Sequence, residues 1–293
     1  MAEIVILSNF SRKLNYFSRA AKEIGYGKFL YRYGLRGFHK IIKVNQKMVL
    51  FNNVPMILPF GSQFGTELFL KKEKLDWGSE AVLTRFLDKE KSFIDIGANI
   101  GYYTLLAAPL SREVYAFEPD PRVIKTLEEN ISQFQNCHII REALYSEAGT
   151  MEISLNSMPE LNSLVRTDNE GKKMIVKVNT LDNLMSEYPS LKVSGIKTDA
   201  EGADFEILLG GKNLLIRDQP LVLSEAYPNK NLLNFIESIG FTCYAFAKPK
   251  NQEVYPSNAK FIKIEKQPNN YRIKMIFIVP ARLATEFQTL ACV

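Results

Sequence analysis

Three cysteines and two histidines are all that the 293 residues offer to thiolate or imidazole chemistry. Cys137, Cys243 and Cys292 are odd in number, lie far apart and match no zinc or redox spacing, which predicts reduced thiols in a cytosolic protein. Long apolar runs are also missing, and none approaches the ~20 residues that cross a bilayer. The opening "MAEIVILSNFSRK" has only Ile4 to Leu7 as an apolar run, with Glu3 before it, and predicts neither a signal peptide nor a membrane anchor. Internal repeats and low-complexity tracts are absent too. These absences exclude a disulfide scaffold, a zinc module and a spanning protein.

What remains is an apolar content of 46%, enough to bury one full core with an appendage. The net charge of +5 is unevenly spread. Between Phe10 and Leu50 stand Arg12, Lys13, Arg19, Lys22, Lys28, Arg32, Arg36, Lys40, Lys43 and Lys47, against the single acid Glu23. That segment is +9 and the remainder −4. Tyr16, Phe17, Tyr26, Phe29, Tyr31, Tyr33 and Phe38 are interleaved with the bases. Such an arm suits a membrane surface, a phosphorylated substrate or, less well, a nucleic acid. The plain alternative is a solvated helical face whose aromatics pack on the main body.

Three zones follow. Residues 1–45 read as a basic helical extension. Residues 46–90 open with two short strands around the turn pair Asn52-Asn53, and close with a helix that Ser79 should cap while Ala81, Val82 and Phe86 are buried. From residue 91 to 293, strands alternate with helices. Strands are expected at Ser92–Ile96, Glu113–Phe117, His138–Arg141, Gly195–Asp199, Leu221–Ser224, Thr242–Phe246 and Lys274–Val279. Helices are expected at Pro121–Gln133, Asp204–Leu209 and Asn231–Ile239. This order predicts an α/β fold with a mostly parallel, seven-stranded sheet covered by helices on both faces. Two short β pieces between Gly149 and Val178 read as an insertion beside it.

The most informative stretch is "FIDIGANIGYYTLLAAPL", Phe93 to Leu110. In an open parallel sheet, ligands sit beyond the carboxyl ends of the strands. Asp95 nears the end of the first strand, and Gly97 and Gly101 allow a sharp turn and a close ligand approach. The next helix should aim free N–H groups at a carboxylate or phosphate. The second strand ends in "EVYAFEPDP", where Glu118 can accept both hydroxyls of an unphosphorylated ribose and Pro119 stiffens the turn. A dinucleotide is disfavoured, because Gly97-x-x-x-Gly101 lacks the G-x-G-x-x-G spacing. S-adenosylmethionine, with a ribose but no pyrophosphate, fits better.

With "FIDIGANIGYYTL", "AFEPDP", "EALYSEAGTMEI", "VNTLDNLM", "IKTDAEGADFEILLGG", "VLSEAY" and "NFIESIGFTCYAF", the chain resembles the FkbM family of S-adenosylmethionine-dependent methyltransferases. That resemblance runs from about residue 48 to 280 and implies the Rossmann-like class I methyltransferase fold. It implies that Asp95, Gly97, Asn99, Gly101 and Tyr102 hold the methionine portion of the donor. Glu118 and Pro119 would hold the ribose, and Ala143 would lie along the adenine edge. The usual acid near that edge is replaced by Ser146-Glu147. The acceptor implied is a hydroxyl on a sugar, glycan, glycolipid precursor or natural product.

O-methylation needs a group to take the hydroxyl proton. His138 falls at the wrong end of its strand and His39 in the basic arm, so structural roles suit both. Asp199, Glu201 and Glu225, at two adjacent strand ends, are the expected catalytic carboxylates. Asp199 and Glu225 can alternatively share Mg²⁺, a weaker reading with only two ligands in view. RNA methylation is disfavoured because "DAEG" stands where an amine-methylating enzyme carries N/D-P-P-Y. A non-catalytic module that binds the donor is the remaining alternative. A cytoplasmic protein, peripheral at the membrane through its basic arm, is the expected setting.

Overall fold

The computed structural model describes residues 18, 20–155, 172–250 and 259–291. Arg12, Lys13, Tyr16, Phe17, Arg19 and Cys292 fall outside the described residues, as do residues 156–171. A helical stretch at 20–24 leads into helix α1, Tyr26–Ile41. Strands β1 (Gln46–Val49) and β2 (Pro55–Leu58) pair antiparallel, with Asn53 in the left-handed turn conformation that its short amide side chain tolerates. Helix α2 (Gln63–Lys71) begins at Ser62, whose hydroxyl accepts from the Gly65 amide.

Helix α3 spans Ser79–Arg85 and corrects two expectations. Ser79 is its first residue and Gly78 occupies the cap position. No side chain caps it; the Glu80 carboxylate instead accepts from amides of the preceding turn, Asp76 (2.7 Å) and Gly78 (3.2 Å). Ala81 is exposed, Val82 and Phe86 are half-buried against the core, and Leu83 joins Ser79 and Glu80 as fully buried.

The main sheet follows, built from β3 (Ser92–Ile96), β4 (Val114–Phe117), β5 (Cys137–Ile140), β9 (Val193–Thr198), β10 (Leu221–Ser224), β11 (Phe241–Pro249), β12 (Lys260–Lys263) and β13 (Tyr271–Pro280). Its order is β12-β11-β13-β10-β9-β3-β4-β5, eight strands where seven were expected. The extra one is β12, whose "KFIK" is too short and too charged to read as a strand. The five strands from β10 to β5 are parallel, and β13, β11 and β12 add antiparallel pairs. Every residue of β3 and β9 is buried, as befits central strands covered on both faces.

Between the strands run α4 (Tyr102–Ala107), α5 (Pro121–Ile131), α6 (Leu181–Glu187), α7 (Asp204–Leu209), α8 (Lys212–Asp218), α9 (Lys230–Ser238) and, last, α10 (Ala284–Ala291). One apolar layer gathers α4 and α5 with the β1–β2 hairpin, and the other gathers α7, α8 and α9. Strands β6 (Ala143–Leu144), β7 (Gly149–Leu155) and β8 (Lys172–Asn179) form a separate small sheet beside the main one.

Register is what positions the site. Ile96 lies opposite Phe117 and Thr198, and Thr198 opposite Ser224. The four parallel strands therefore end in step. The next residue of each, Gly97, Glu118, Asp199 and Glu225, stands in one row beyond the sheet.

Candidate active site

That row borders a cleft of about 300 Å³, at the low end of small-molecule sites. Gly97 and Asn99 line it from the loop after β3, Tyr102 from the start of α4, Glu118 and Pro119 from the loop after β4, and Ala143 from β6. Asp199, Glu201 and Glu225 line the opposite side. Asp95 and Gly101 do not line it.

The first loop is tied to itself. The amides of Gly97 and Ala98 both donate to the Phe117 carbonyl, at 3.0 and 3.1 Å, and the Gly101 amide donates to Ala98 at 2.8 Å. The Asn99 amide donates to Glu118 Oε2 at 2.8 Å, while Asp120 N–H meets Oε1 at 2.9 Å. The amides of Gly97, Ala98, Asn99 and Gly101 are thus used within the loop, and the expectation of free N–H groups rests on the first turn of α4 that follows. The glycines also answer to internal packing. A Cβ on Gly97 would lie 2.0 Å from the Asp199 carbonyl oxygen, and one on Gly101 would lie 2.8 Å from Leu127 Cδ1. Both also have positive φ, 69° and 89°, where a side chain adds strain.

Asn99 Oδ1 is a buried acceptor with no hydrogen-bond partner among the described residues. An ammonium suits it better than a carboxylate does. Glu118 keeps acceptor capacity on both oxygens beyond its two backbone bonds. Burial raises its carboxyl to about 7, opposed by those backbone bonds. A donor hydroxyl pair would restore part of the lost solvation. Ala143, Leu144, Ile153 and Ile207 give this end an apolar lining suited to a planar base. Ser146 and Glu147 do not line it, whereas Glu142 does.

Asp95 is fully buried behind the loop, and accepts from Thr104 Oγ1 at 2.6 Å. Its direct grip on a ligand, expected from the sequence, gives way to a supporting role. Lys197 Nζ stands 3.6 Å from Asp95 Oδ1 and 3.7 Å from Asp199 Oδ2. It also donates to the carbonyls of Ile96 (3.2 Å) and Gly97 (2.8 Å). Burial alone would lower its pKa, but Asp199, Asp95, Asp204 and Glu225 outweigh burial and raise it. Lys197 thus ties the loop after β3 to the acids after β9. Sequence reasoning passed over it, although a lysine inside the apolar strand "VSGIKT" was a visible signal.

Ligand oxygens of Asp199, Glu201 and Glu225 lie within 4.8 Å of one another. Burial first, then Asp199, pushes the Glu225 carboxyl far above the carboxylate range, so the pair holds a proton at neutral pH. Asp204 is likewise raised by burial and by Asp199. An all-carboxylate set suits a hard cation, yet Lys197 already places positive charge beside Asp199. The residues therefore fit a divalent ion poorly and a proton acceptor well. His138, bonded to Glu113 at 2.6 Å, and His39, at 3.1 Å from the Val44 carbonyl, lie outside the cleft.

The remaining wall was not foreseen. Phe64, Glu67 and Asp76 reach the cleft from α2 and the turn before α3, and Lys274 from β13. Lys274 Nζ donates to the Leu75 carbonyl at 2.6 Å and lies 3.6 Å from Glu67 and 3.5 Å from Asp76. The Tyr103 hydroxyl donates to Asp76 Oδ2 at 2.7 Å, and burial holds it well above its usual pKa as a neutral phenol. No single motif signals this wall, because residues two hundred positions apart assemble it.

A model of the FkbM methyltransferase domain matches residues 95–277. The chain belongs to the FkbM methyltransferase family. Among curated relatives, the hexuronic acid methyltransferase AglP of Haloferax volcanii is 32% identical over 123 residues, 41% of this chain and 50% of that protein. Ribosomal RNA small subunit methyltransferase A of Streptococcus equi subsp. zooepidemicus is 28% identical over 102 residues, 35% of this chain and 33% of that protein. The chain thus spans half or less of the length of these relatives. A solved FkbM methyltransferase from Methylobacillus flagellatus superposes at TM-score 0.41 and 14% identity, covering 74% of this chain and 54% of that one. An rRNA methylase from Streptococcus thermophilus gives TM-score 0.40 at 15% identity, covering 69% and 94%.

Proposed function

We propose that this FkbM methyltransferase uses S-adenosylmethionine to methylate a hydroxyl of a sugar, glycan or glycolipid precursor. The observation that carries the reading is the single row of strand-end residues. It sets a ribose-accepting Glu118 at one end and the proton-holding pair Asp199–Glu225 at the other.

When bound, S-adenosylmethionine supplies an electrophilic methyl on a sulfonium centre. Asn99 Oδ1 would accept from its ammonium, Glu118 from its ribose, and the Ala143 side would pack on its base. Asp199, Glu201 and Glu225 give the cleft a negative field that suits a cationic donor. Asp199 would take the acceptor's hydroxyl proton. Lys197 holds Asp199 in place, and Glu225 donates its own proton to steady it. Loop closure by Lys197 keeps the two ends in fixed relation, which in-line transfer requires.

The wall of Glu67, Asp76, Lys274 and Phe64 supports a saccharide acceptor, since alternating charges beside aromatic rings match many hydroxyls on an apolar ring face. The hexuronic acid relative supports it too. The basic N-terminal segment would meet phosphate or a membrane surface. Incubation with methyl-labelled donor and a panel of nucleotide sugars and glycans tests the substrate class; label in no carbohydrate would overturn it. The ribosomal RNA relatives keep an RNA acceptor as a second reading, and label in RNA but not in sugars would favour it.

A further inference from the structure

Helix α1 is mounted the wrong way round for a soluble helix. Its buried side carries Phe29 but also Arg36, which is fully buried. Arg36 donates to Thr66 Oγ1 (3.2 Å), to Gln46 Oε1 (3.5 Å) and to the carbonyls of Leu58 (3.4 Å), Ser62 (3.3 Å) and Pro59. Arg32 donates to the Leu70 carbonyl at 2.5 Å. The outward side is apolar. Ile41 is 81% exposed, Tyr31 71%, Leu30 68% and Tyr26 60%, with Phe38 beside them.

At 100° per residue these five fall within an arc of about 140° that holds no charged residue. Gly27, Gly34 and Gly37 share the arc, and nothing lies within 4 Å of where their side chains would be. Lys40 and Lys28 flank it, about 40° and 60° beyond its two edges, and are exposed. Apolar exposure continues along the chain through Ile42, Val44, Val49 and Phe51, with Lys43 and Lys47 among them. Six bases and no acid lie between residues 24 and 66.

We propose that this face docks on a membrane surface rich in anionic headgroups. An apolar stripe edged by lysines, with tyrosines able to keep their hydroxyls at the water boundary, is the arrangement an interfacial helix uses. Charge complementarity selects the occupant. A second copy would oppose bases with bases and offer no acid to pair them. A lipid surface of negative charge meets both the stripe and its rim. Docking would also bring the acceptor wall close to the membrane, because Arg36 packs α1 against α2, which carries Phe64 and Glu67. The proposal does not depend on the acceptor being a saccharide.

Co-flotation of the full chain with vesicles tests it. The chain should float with vesicles of phosphatidylserine and phosphatidylcholine, and much less with phosphatidylcholine alone. Raised salt should weaken the partition. The surface variants Leu30→Glu/Ile41→Glu and Lys40→Glu/Lys43→Glu should each lower it at least tenfold, with unchanged melting and unchanged donor affinity. Wild-type protein that stays with the aqueous phase overturns the proposal, whether the stripe is covered by residues 1–17 or by something else. Flotation that Leu30→Glu/Ile41→Glu retains also overturns it. So does light scattering that shows a dimer which that variant dissolves.

Discussion

The two walls of the cleft are built on opposite principles. The wall after β3 and β4 is made of backbone: the amides of Gly97, Ala98, Asn99 and Gly101 bond to Phe117, Glu118 and Ala98, and a carbonyl crowds Gly97. The wall of Glu67, Asp76 and Lys274 is made of side-chain ion pairs at 3.5 and 3.6 Å. A backbone wall has one shape and suits a ligand that never varies. A side-chain wall can be rewritten by substitution without moving the fold, and suits the ligand that distinguishes one enzyme from its relatives. On the proposed function, the shared donor would lie against the first wall and the particular acceptor against the second.

Asp199 sits where the walls meet, and its loss should have the largest effect. Asp199→Asn should lower methyl transfer by about 10²- to 10⁴-fold while donor affinity, read by calorimetry, holds. Next comes the rigidity of the backbone wall. Gly97→Ala should cost about 3 kcal/mol in denaturant unfolding, since its Cβ has no space and its φ is positive. An unchanged midpoint would show that the wall yields.

The side-chain wall should respond differently. Lys274→Ala should raise the acceptor KM about tenfold with the donor's dissociation constant unchanged and folding intact. A loss of donor affinity would erase the division between the walls. A smaller, graded effect concerns pH. Burial pushes the Glu118 carboxyl up to about 7, and only its ionised form would accept both ribose hydroxyls. Donor affinity should rise with pH through that value and level off above it, by up to about tenfold per unit below it. A flat profile between neutral and mildly acid pH would contradict the role of Glu118.

The backbone wall was the legible one. Gly97, Glu118 and Asp199 stand at strand ends that periodicity and turn residues mark within a few positions, so the row was foreseeable. Two details were not. That the loop amides bond inward rather than to a ligand depends on register between β3 and β4, which one strand's sequence does not carry. That Asp95 faces Lys197 and not the cleft depends on the neighbouring strand β9. The side-chain wall was illegible because Tyr103, Asp76 and Lys274 meet only after folding, each in an unremarkable local context. Ser79 misled because the helix starts one residue earlier than its cap type suggests, with Gly78 in the left-handed conformation at the cap position. Helix α1 misled in the other direction: the basic arm was plain, but which side of the helix faces out required the packing of Arg36.

The account depends most on Glu118 as the anchor of the donor's ribose. Calorimetric titration of S-adenosylhomocysteine into the wild type and Glu118→Gln tests that directly, because the amide keeps the shape and one backbone acceptor. The expected result is affinity ~10- to 100-fold weaker in a variant that still melts cooperatively. Equal affinity in the two proteins would contradict it.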